Sequence, residues 1–97
     1  MYFVYLLCCA DQTLYTGLAK DVERRLAEHQ DSPKGARYTR SRRPVQLLAI
    51  SEPLPDRRAA ARLEYAIKRK TRKQKLAWVA ALPDTAFWDQ ALCEGLQ

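Results

Sequence analysis

The sequence predicts a small mixed α/β (α+β) fold, with strands near the start of the chain and helices after them. Two short apolar runs, 2–8 and 13–18, flank the polar break at 10–12. Further along, apolar residues recur with helical spacing in three segments: 22–30, 56–70 and 72–82. The 97 residues suit one domain with a modest core, so we predict a single domain over 1–97.

The first two apolar runs predict a pair of antiparallel strands. Run 2–8 is continuously aliphatic and aromatic, which is typical of a central strand covered on both faces. Run 13–18 contains Gly17, a residue that lets the backbone approach another group closely. The connection between the runs is too short for a parallel crossover, so we expect antiparallel pairing. Residues 45–50 are predicted to form a third short strand.

A first helix is predicted over 22–30, because Asp21 is a suitable N-cap. Its expected core-facing residues are Val22, Leu26 and His29. Arg25 and His29 are four residues apart, so one edge of this helix directs both side chains toward a common region.

The second half of the chain is predicted to be helical. Asp56 is expected to cap a helix that runs to about residue 70. Thr71 and Gln74 match a capping box for the next helix, and Asp84 is expected to cap a last short one. The apolar residues assigned to the core are Ala59, Ala60, Leu63, Ala66, Ile67, Leu76, Val79, Ala80, Phe87, Trp88, Ala91 and Leu92.

Basic residues dominate two segments of the chain, whose net charge is +6. Residues 57–75 hold nine basic side chains and one acid, Glu64, and the loop 34–43 is basic without an acid. So many positive charges close together repel one another, and phosphate groups would relieve that repulsion. This favours nucleic acid as the partner over a membrane surface or a merely solvated face. The candidate nucleic-acid-binding residues are Lys34, Arg37, Tyr38, Arg40, Arg42, Arg43, Lys68 and Arg69.

The cysteines and the apolar start indicate a cytoplasmic protein. The three cysteines, Cys8, Cys9 and Cys93, lack C-x-x-C spacing, so we expect reduced, partly buried thiols. The apolar start is about half a membrane span long and lacks the basic region and cleavage site of a secretion signal. We therefore expect an N-terminal strand and no membrane attachment.

Glu64 is the candidate metal ligand. Magnesium commonly takes one or two protein carboxylates together with water and substrate phosphate, so one glutamate on a phosphate-binding surface is sufficient. The alternative is an ion pair with Lys68, four residues further along the same helix.

Arg25, His29 and two tyrosines are the candidate catalytic residues, and each has a structural alternative. Arg25 either pairs with Glu28 or holds a phosphate whose charge grows in the transition state. His29 alone is more often a residue at the edge of a core, and Tyr5 and Tyr15 alone are ordinary strand aromatics. A tyrosine with a pKa of about 10 is a poor base unless cationic neighbours lower that pKa.

Four of these residues occur in an order that resembles the GIY-YIG nuclease family: Tyr5, Tyr15, Arg25 and Glu64. Phe3-Val4-Tyr5 stands at the first family triplet, and Tyr15-Thr16-Gly17 stands at the second. Segment 9–43 is similar to the small single-domain bacterial members, with Leu-Tyr-Thr-Gly, Glu-Arg-Arg-Leu, a histidine and a basic Tyr-Thr-Arg loop. The resemblance covers roughly 1–80, which leaves 81–97 as a C-terminal helical extension.

The resemblance implies a three-stranded antiparallel sheet flanked by helices, and metal-dependent cleavage of nucleic-acid phosphodiester bonds, in DNA rather than RNA. Glu64 would bind Mg²⁺ or Mn²⁺, and Arg25 would hold the scissile phosphate. Tyr15 would accept the proton of the attacking water, with Tyr5 beside it and His29 contacting the site.

Two other hypotheses are open on the sequence. A binding module with the same fold would grip nucleic acid without cutting it. A partner-dependent nuclease would need a second protein, for which Trp78, Phe87 and Trp88 offer a contact surface unless they close the core.

Overall fold

The computed structural model describes residues 1–96 of the chain. Its elements in order are β1 (Phe3–Cys8), β2 (Leu14–Ala19), α1 (Val22–Asp31), α2 (Arg37–Arg40), β3 (Gln46–Ile50), α3 (Arg57–Lys68), α4 (Arg72–Ala80), β4 (Phe87–Trp88) and α5 (Gln90–Gly95). The strands form one antiparallel sheet in the order β2-β1-β3-β4. The expected α+β fold is confirmed, but the sheet has four strands instead of three.

Strand β1 lies inside the sheet, between β2 and β3, as its apolar sequence predicts. Val4 and Leu6 lie in a core cluster with residues of α3, α4 and α5. Tyr5 and Leu7 point to the opposite face and lie in a second cluster with residues of α1. The alternation of strand side chains therefore divides β1 between two cores, and Tyr5 belongs to the one beneath α1.

The β1–β2 hairpin determines which residues share the α1 face. Tyr5 lies opposite Gly17, and Leu7 lies opposite Tyr15. Residues that are directly opposite in an antiparallel pair point to the same face, so the two tyrosines are diagonal neighbours. At the turn, the Asp11 carboxylate accepts hydrogen bonds from the backbone N–H and the hydroxyl of Thr13.

The predicted helix starts agree with the structure. The side chains of Asp21 and Asp56 accept backbone N–H groups at the starts of α1 and α3, and the capping box of α4 is complete. Three alanines assigned to the core, Ala66, Ala80 and Ala91, are instead exposed. Each helix packs along one narrow stripe, and successive residues are rotated by about 100°, so an alanine beside that stripe faces solvent.

The C-terminal region departs from the sequence prediction. Phe87 and Trp88 form strand β4, which pairs with β3, and the last helix is capped by Asp89 rather than Asp84. Strand β3 offers an unpaired edge, and aromatic residues favour strands, so pairing there overrides a local helical pattern. Trp78 and Trp88 pack against the core, whereas the Phe87 side chain is 48% exposed.

The cysteine side chains are buried more completely than expected. Cys8, Cys9 and Cys93 are all buried, and no disulfide joins them in the described part of the chain. Burial raises the pKa of the Cys8 and Cys9 thiols, which therefore stay protonated near neutral pH. Within residues 1–96, no helix has the length and apolar character needed to span a membrane.

Candidate active site

Tyr5 is the most deeply buried of the predicted site tyrosines. Its side chain is 2% exposed, and its hydroxyl lies 2.7 Å from Nε2 of His29. The ring lies against the backbone of β2 at Gly17, where a Cβ atom would be only 2.5 Å from Tyr5 Cζ. Gly17 is therefore required for this ring position, which confirms that a backbone comes close to another group there.

Tyr15 lies in contact with the same histidine. The ring centroids of Tyr15 and His29 are 5.1 Å apart in an edge-on arrangement. On its other side, Tyr15 stacks on Tyr38 of α2, with the centroids 5.9 Å apart and the planes 28° apart. The hairpin and α1 thus bring Tyr5, Tyr15 and His29 together on one face of the sheet.

His29 is completely buried and is bonded through both ring nitrogens. Nδ1 accepts the backbone N–H of Ala36 at 3.3 Å and lies 2.8 Å from the Thr39 hydroxyl. The Thr39 hydroxyl also lies 2.9 Å from the Ala36 carbonyl. That carbonyl already accepts two backbone N–H groups, so the hydroxyl proton can point to Nδ1 instead. An amide N–H only donates, so we assign the ring proton to Nε2, which donates it to the Tyr5 oxygen.

The environment of His29 keeps the imidazole neutral. Burial, together with the charges of Arg25 and Arg43, lowers the pKa of His29 from 6.5 to about 4. A neutral imidazole is a poor proton donor in general acid catalysis near neutral pH. His29 therefore serves here as a fixed hydrogen-bond partner of Tyr5.

The lowered pKa of His29 makes the folded protein sensitive to acid. Because the folded state binds this proton more weakly than the unfolded state, the contribution is complete above pH 6.5 and is lost as the pH falls toward about 4. The free energy of unfolding is expected to fall by up to about 1.4 kcal/mol per pH unit in that window. Urea denaturation at several pH values measures the slope, and the difference between wild type and His29→Gln isolates this residue. Equal slopes in both proteins would contradict the prediction.

Burial also raises the pKa of both tyrosines above the ordinary value. For Tyr5, the charge of Tyr15 adds to the effect of burial, and Arg25 opposes it. For Tyr15, burial dominates again, Arg25 opposes it, and Glu64 adds to it. The lowering expected from Arg25 is therefore outweighed, and both phenols are protonated at neutral pH.

Arg25 is held by two acceptors near the tyrosines. Its Nη1 atom donates to the Glu28 carboxylate and to the Lys34 carbonyl, each at 2.8 Å. The side chain is 30% exposed, so part of the guanidinium remains accessible. The pairing with Glu28 that the sequence offered as an alternative is present, and it fixes the direction of Arg25 beside the tyrosines.

Glu64 lies on α3 and is electrostatically coupled to the hairpin. Its carboxylate raises the pKa of both Tyr5 and Tyr15. The Lys68 ammonium is 3.7 Å away, a loose ion pair between partly exposed side chains. Within the described residues, no group of three or more His, Cys, Asp or Glu side chains could hold a metal ion. A cation here would rest on Glu64, water and phosphate, a donor set that suits magnesium.

The basic loop uses Tyr38 and Arg42 for contacts within the protein. The Arg42 guanidinium carbon lies 3.9 Å from the centroid of the Tyr38 ring, on which Tyr15 also stacks. Arg42 Nε donates to the Asp11 carboxylate at 3.0 Å. These contacts tie the loop to the β1–β2 turn and hold Tyr15 in place.

Arg43 also makes structural contacts in the loop. Its guanidinium donates to the carbonyls of Glu28, His29 and Ser32 at the end of α1. In contrast, Lys34, Arg37 and Arg40 are exposed on this side of the molecule. Nucleic-acid binding by the eight candidate residues stays a prediction.

Sequence reasoning missed Thr39 and Asp11 as residues that support the site. Thr39 is fully buried against His29, and Asp11 holds Arg42 over Tyr38. Thr39 is separated from His29 by ten residues, in a segment without periodicity. No local pattern signals these contacts. Thr39 meets His29 because α2 packs against α1. Asp11 meets Arg42 because the loop after α2 lies against the β1–β2 turn.

Comparisons with known proteins agree with this architecture. The model of the GIY-YIG catalytic domain matches residues 1–77. The chain is 54% identical over 77 residues to a UPF0213 protein from Desulfotalea psychrophila, covering 77% of this chain and 69% of the relative. It is 50% identical over 92 residues to a UPF0213 protein from Nitratidesulfovibrio vulgaris, covering 95% and 82%.

A solved structure is similar as well. The solution NMR structure of a UPF0213 protein from Bacillus halodurans matches with a TM-score of 0.52 and 42% sequence identity. The match covers 82% of this chain and 84% of the solved one. The similarity therefore extends over most of both chains.

Proposed function

Because the chain belongs to the GIY-YIG nuclease family, and within it to the UPF0213 group, we propose that it is a metal-dependent endonuclease. Its substrate in this proposal is nucleic acid, DNA rather than RNA, and its reaction is hydrolysis of a phosphodiester bond. The observation that carries the proposal is the contact of Tyr5 and Tyr15 with the same buried histidine, His29, on the face of the sheet that α1 covers. Arg25 on α1 and Glu64 on α3 each shift the pKa of both tyrosines, which supports assigning all four residues to one site.

Arg25 is assigned to the scissile phosphate. Its position between Glu28 and the Lys34 carbonyl supports the assignment, because a guanidinium that is already oriented needs little rearrangement as charge grows on the phosphate. Arginine is always charged and can contact two phosphate oxygens at once, so it suits this role better than lysine.

Tyr15 is assigned to the attacking water, and Tyr5 to orienting it. Tyr15 is the less buried of the two tyrosines, so its hydroxyl is the more accessible to solvent. His29 donates to the Tyr5 oxygen in the tautomer assigned above, so the hydroxyl proton of Tyr5 is free to point toward the water. The group that takes the proton of the water is then the Tyr15 phenolate, which forms when the phenol loses its own proton to solvent.

Glu64 is assigned to the divalent cation, Mg²⁺ or Mn²⁺. Such a cation, when bound, supplies Lewis acid stabilisation of phosphate charge. The single carboxylate fits a cation that is otherwise coordinated by water and phosphate. Lys68, loosely paired with Glu64, neutralises the carboxylate in the absence of a cation.

A cleavage assay with magnesium tests the proposal. Single-stranded, duplex and branched DNA, and RNA, are each incubated with the protein, and product is expected from at least one DNA substrate. Because Tyr15 is protonated at neutral pH, the single-turnover rate is expected to rise about tenfold per unit between pH 7 and 9. Tyr15→Phe should lower the rate about 10²- to 10⁴-fold and remove that slope.

A matched control for this prediction is Tyr2→Phe. Tyr2 lies outside the site, in an isolated bridge to Leu54, and its ring contacts Lys20. This variant should retain the wild-type rate and slope. A wild-type rate in Tyr15→Phe would contradict the assignment of Tyr15.

A second candidate function is binding without cleavage. The raised pKa of both tyrosines and the Glu64–Lys68 pair favour it, since both make the residues less ready for catalysis. This hypothesis expects salt-sensitive binding to nucleic acid and no metal-dependent product from any substrate in the assay.

A further inference from the structure

One face of α3, extended by the C-cap residue Arg69, carries three arginines and a tyrosine that no part of the proposed reaction uses. Counted from the first of them, the four occur at i, i+4, i+7 and i+11, so they form a single stripe. They are Arg58, Arg62, Tyr65 and Arg69, and we call them the α3 stripe. All four are exposed, on the side of the helix away from buried Ala60 and Ile67.

Tyr65 is an unusual surface residue. Its side chain is 64% exposed, compared with 39% for Tyr38, whose ring lies between Tyr15 and Arg42. Most of the Tyr65 ring is therefore accessible. An aromatic ring left in water forgoes the stabilisation that burial of its apolar area would provide.

Arg69 and the Tyr65 ring hold each other in position. Arg69 Nη1 donates to the Tyr65 hydroxyl at 3.3 Å, and its guanidinium carbon lies 5.5 Å from the ring centroid. The helix has one acid, Glu64, and that acid pairs with Lys68 outside the stripe. The positive charge of the stripe is thus not matched by an acid of the same helix.

The α3 stripe adjoins the candidate active site. Glu64 precedes Tyr65 in the chain, so the stripe begins about 100° around the helix from the proposed metal ligand. From Arg58 to Arg69 it extends about 16 Å along the helix axis. A strand of nucleic acid that leaves the site across α3 would therefore pass over it.

We propose that the α3 stripe binds an unpaired segment of nucleic acid, with Tyr65 stacked on a base and the arginines on the flanking phosphates. This inference rests on the proposed function and specifies its substrate as a nucleic acid with a single-stranded part. In a duplex the bases stack on one another and offer no free face to a side chain on a convex helix. Arginines alone would serve either form, whereas stacking on the face of an exposed aromatic ring requires an unpaired base.

The test measures binding by fluorescence anisotropy with metal chelated, using a single-stranded oligonucleotide and a blunt duplex of the same sequence. Tyr65→Ala is expected to weaken single-strand binding about 5- to 150-fold and to change duplex binding less than about 2-fold. Tyr65→Trp should restore single-strand binding. Phe87→Ala is the matched control and should behave as wild type. Phe87 is an exposed aromatic residue, and it lies in residues 76–97, which contain no lysine or arginine.

The arginines are tested through the salt dependence. Each of Arg58→Gln, Arg62→Gln and Arg69→Gln should reduce the slope of log affinity against log salt by about 0.7 for the single strand. Equal effects of Tyr65→Ala on both substrates, or none on either, would overturn the proposal. So would a change of oligomeric state in Tyr65→Ala by sedimentation, which would mean that the ring contacts a second copy of the chain.

The binding test is independent of the reaction. If the protein cuts no substrate but its single-strand binding depends on Tyr65, the proposed endonuclease is overturned and the role of the α3 stripe is retained. Cleavage by the wild type, together with single-strand binding that Tyr65→Ala does not change, would overturn the role of the α3 stripe and leave the proposed endonuclease in place.

Discussion

Replacing Glu64 by glutamine is expected to lower magnesium-dependent cleavage by about 10³-fold while the fold and nucleic-acid binding are retained. A loss of this size corresponds to about 4 kcal/mol, in the range that a cation contributes to stabilising phosphate charge. Glutamine keeps the shape of the side chain and removes the charge. Single-turnover rates with saturating Mg²⁺ or Mn²⁺ measure the effect, and thermal unfolding checks the fold.

The effect of Glu64 on the Tyr15 pKa bears on how a loss of cleavage in Glu64→Gln is interpreted. The Glu64 carboxylate raises the pKa of Tyr15, so its removal would make Tyr15 a slightly better base at neutral pH. The change in the Tyr15 pKa would therefore favour cleavage, so a fall in rate is the result expected from loss of a metal ligand. The Glu64–Lys68 pair is partly exposed, and such pairs contribute at most about 1 kcal/mol, so stability should change little.

The matched control is Glu94→Gln. Glu94 lies on α5, where its carboxylate bonds to Gln90. This variant loses the same charge and should cleave at the wild-type rate. Full cleavage by Glu64→Gln would rule out the proposed metal ligand, because the described residues contain no group of three or more His, Cys, Asp or Glu side chains that could hold the cation instead.

Replacing Gly17 by alanine is expected to disrupt both stability and cleavage. The new Cβ would lie 2.5 Å from Tyr5 Cζ, far inside van der Waals contact, and both groups belong to paired strands of the sheet. Tyr5 would have to move away from β2 and lose its 2.7 Å hydrogen bond to His29. We expect the free energy of unfolding to fall by about 1–3 kcal/mol and the cleavage rate to fall by about 10²-fold.

Urea denaturation and single-turnover cleavage measure these two effects. Gly95→Ala is the control, because a Cβ at Gly95 meets no atom within 4 Å. That substitution should be neutral or slightly stabilising, since alanine is the better residue in a helix. If Gly17→Ala matched the wild type in both measurements, Tyr5 could not lie against β2 in solution as described.

Local patterns in the sequence were enough to predict the β1–β2 hairpin and the starts of three helices. Both depend on neighbours in the chain: a continuous apolar run, a short turn, and a capping side chain three residues before the N–H that it accepts. Strand β4 was missed because its pairing depends on the free edge of β3, which lies nearly forty residues earlier. Helix α2 was missed because it is a single turn without periodicity.

The sequence by itself determined the α+β class, the β1–β2 pairing and the family, and it supplied the residues that we assign to the site. These follow from residue types and their spacing along the chain, which do not depend on how the chain folds. Only the tertiary structure decided the states of those residues. Burial outweighs Arg25 and keeps Tyr5 and Tyr15 protonated, and packing of α2 against α1 directs the His29 proton to Tyr5. Desolvation and hydrogen bonding depend on groups distant in the chain, so spacing alone cannot reveal them.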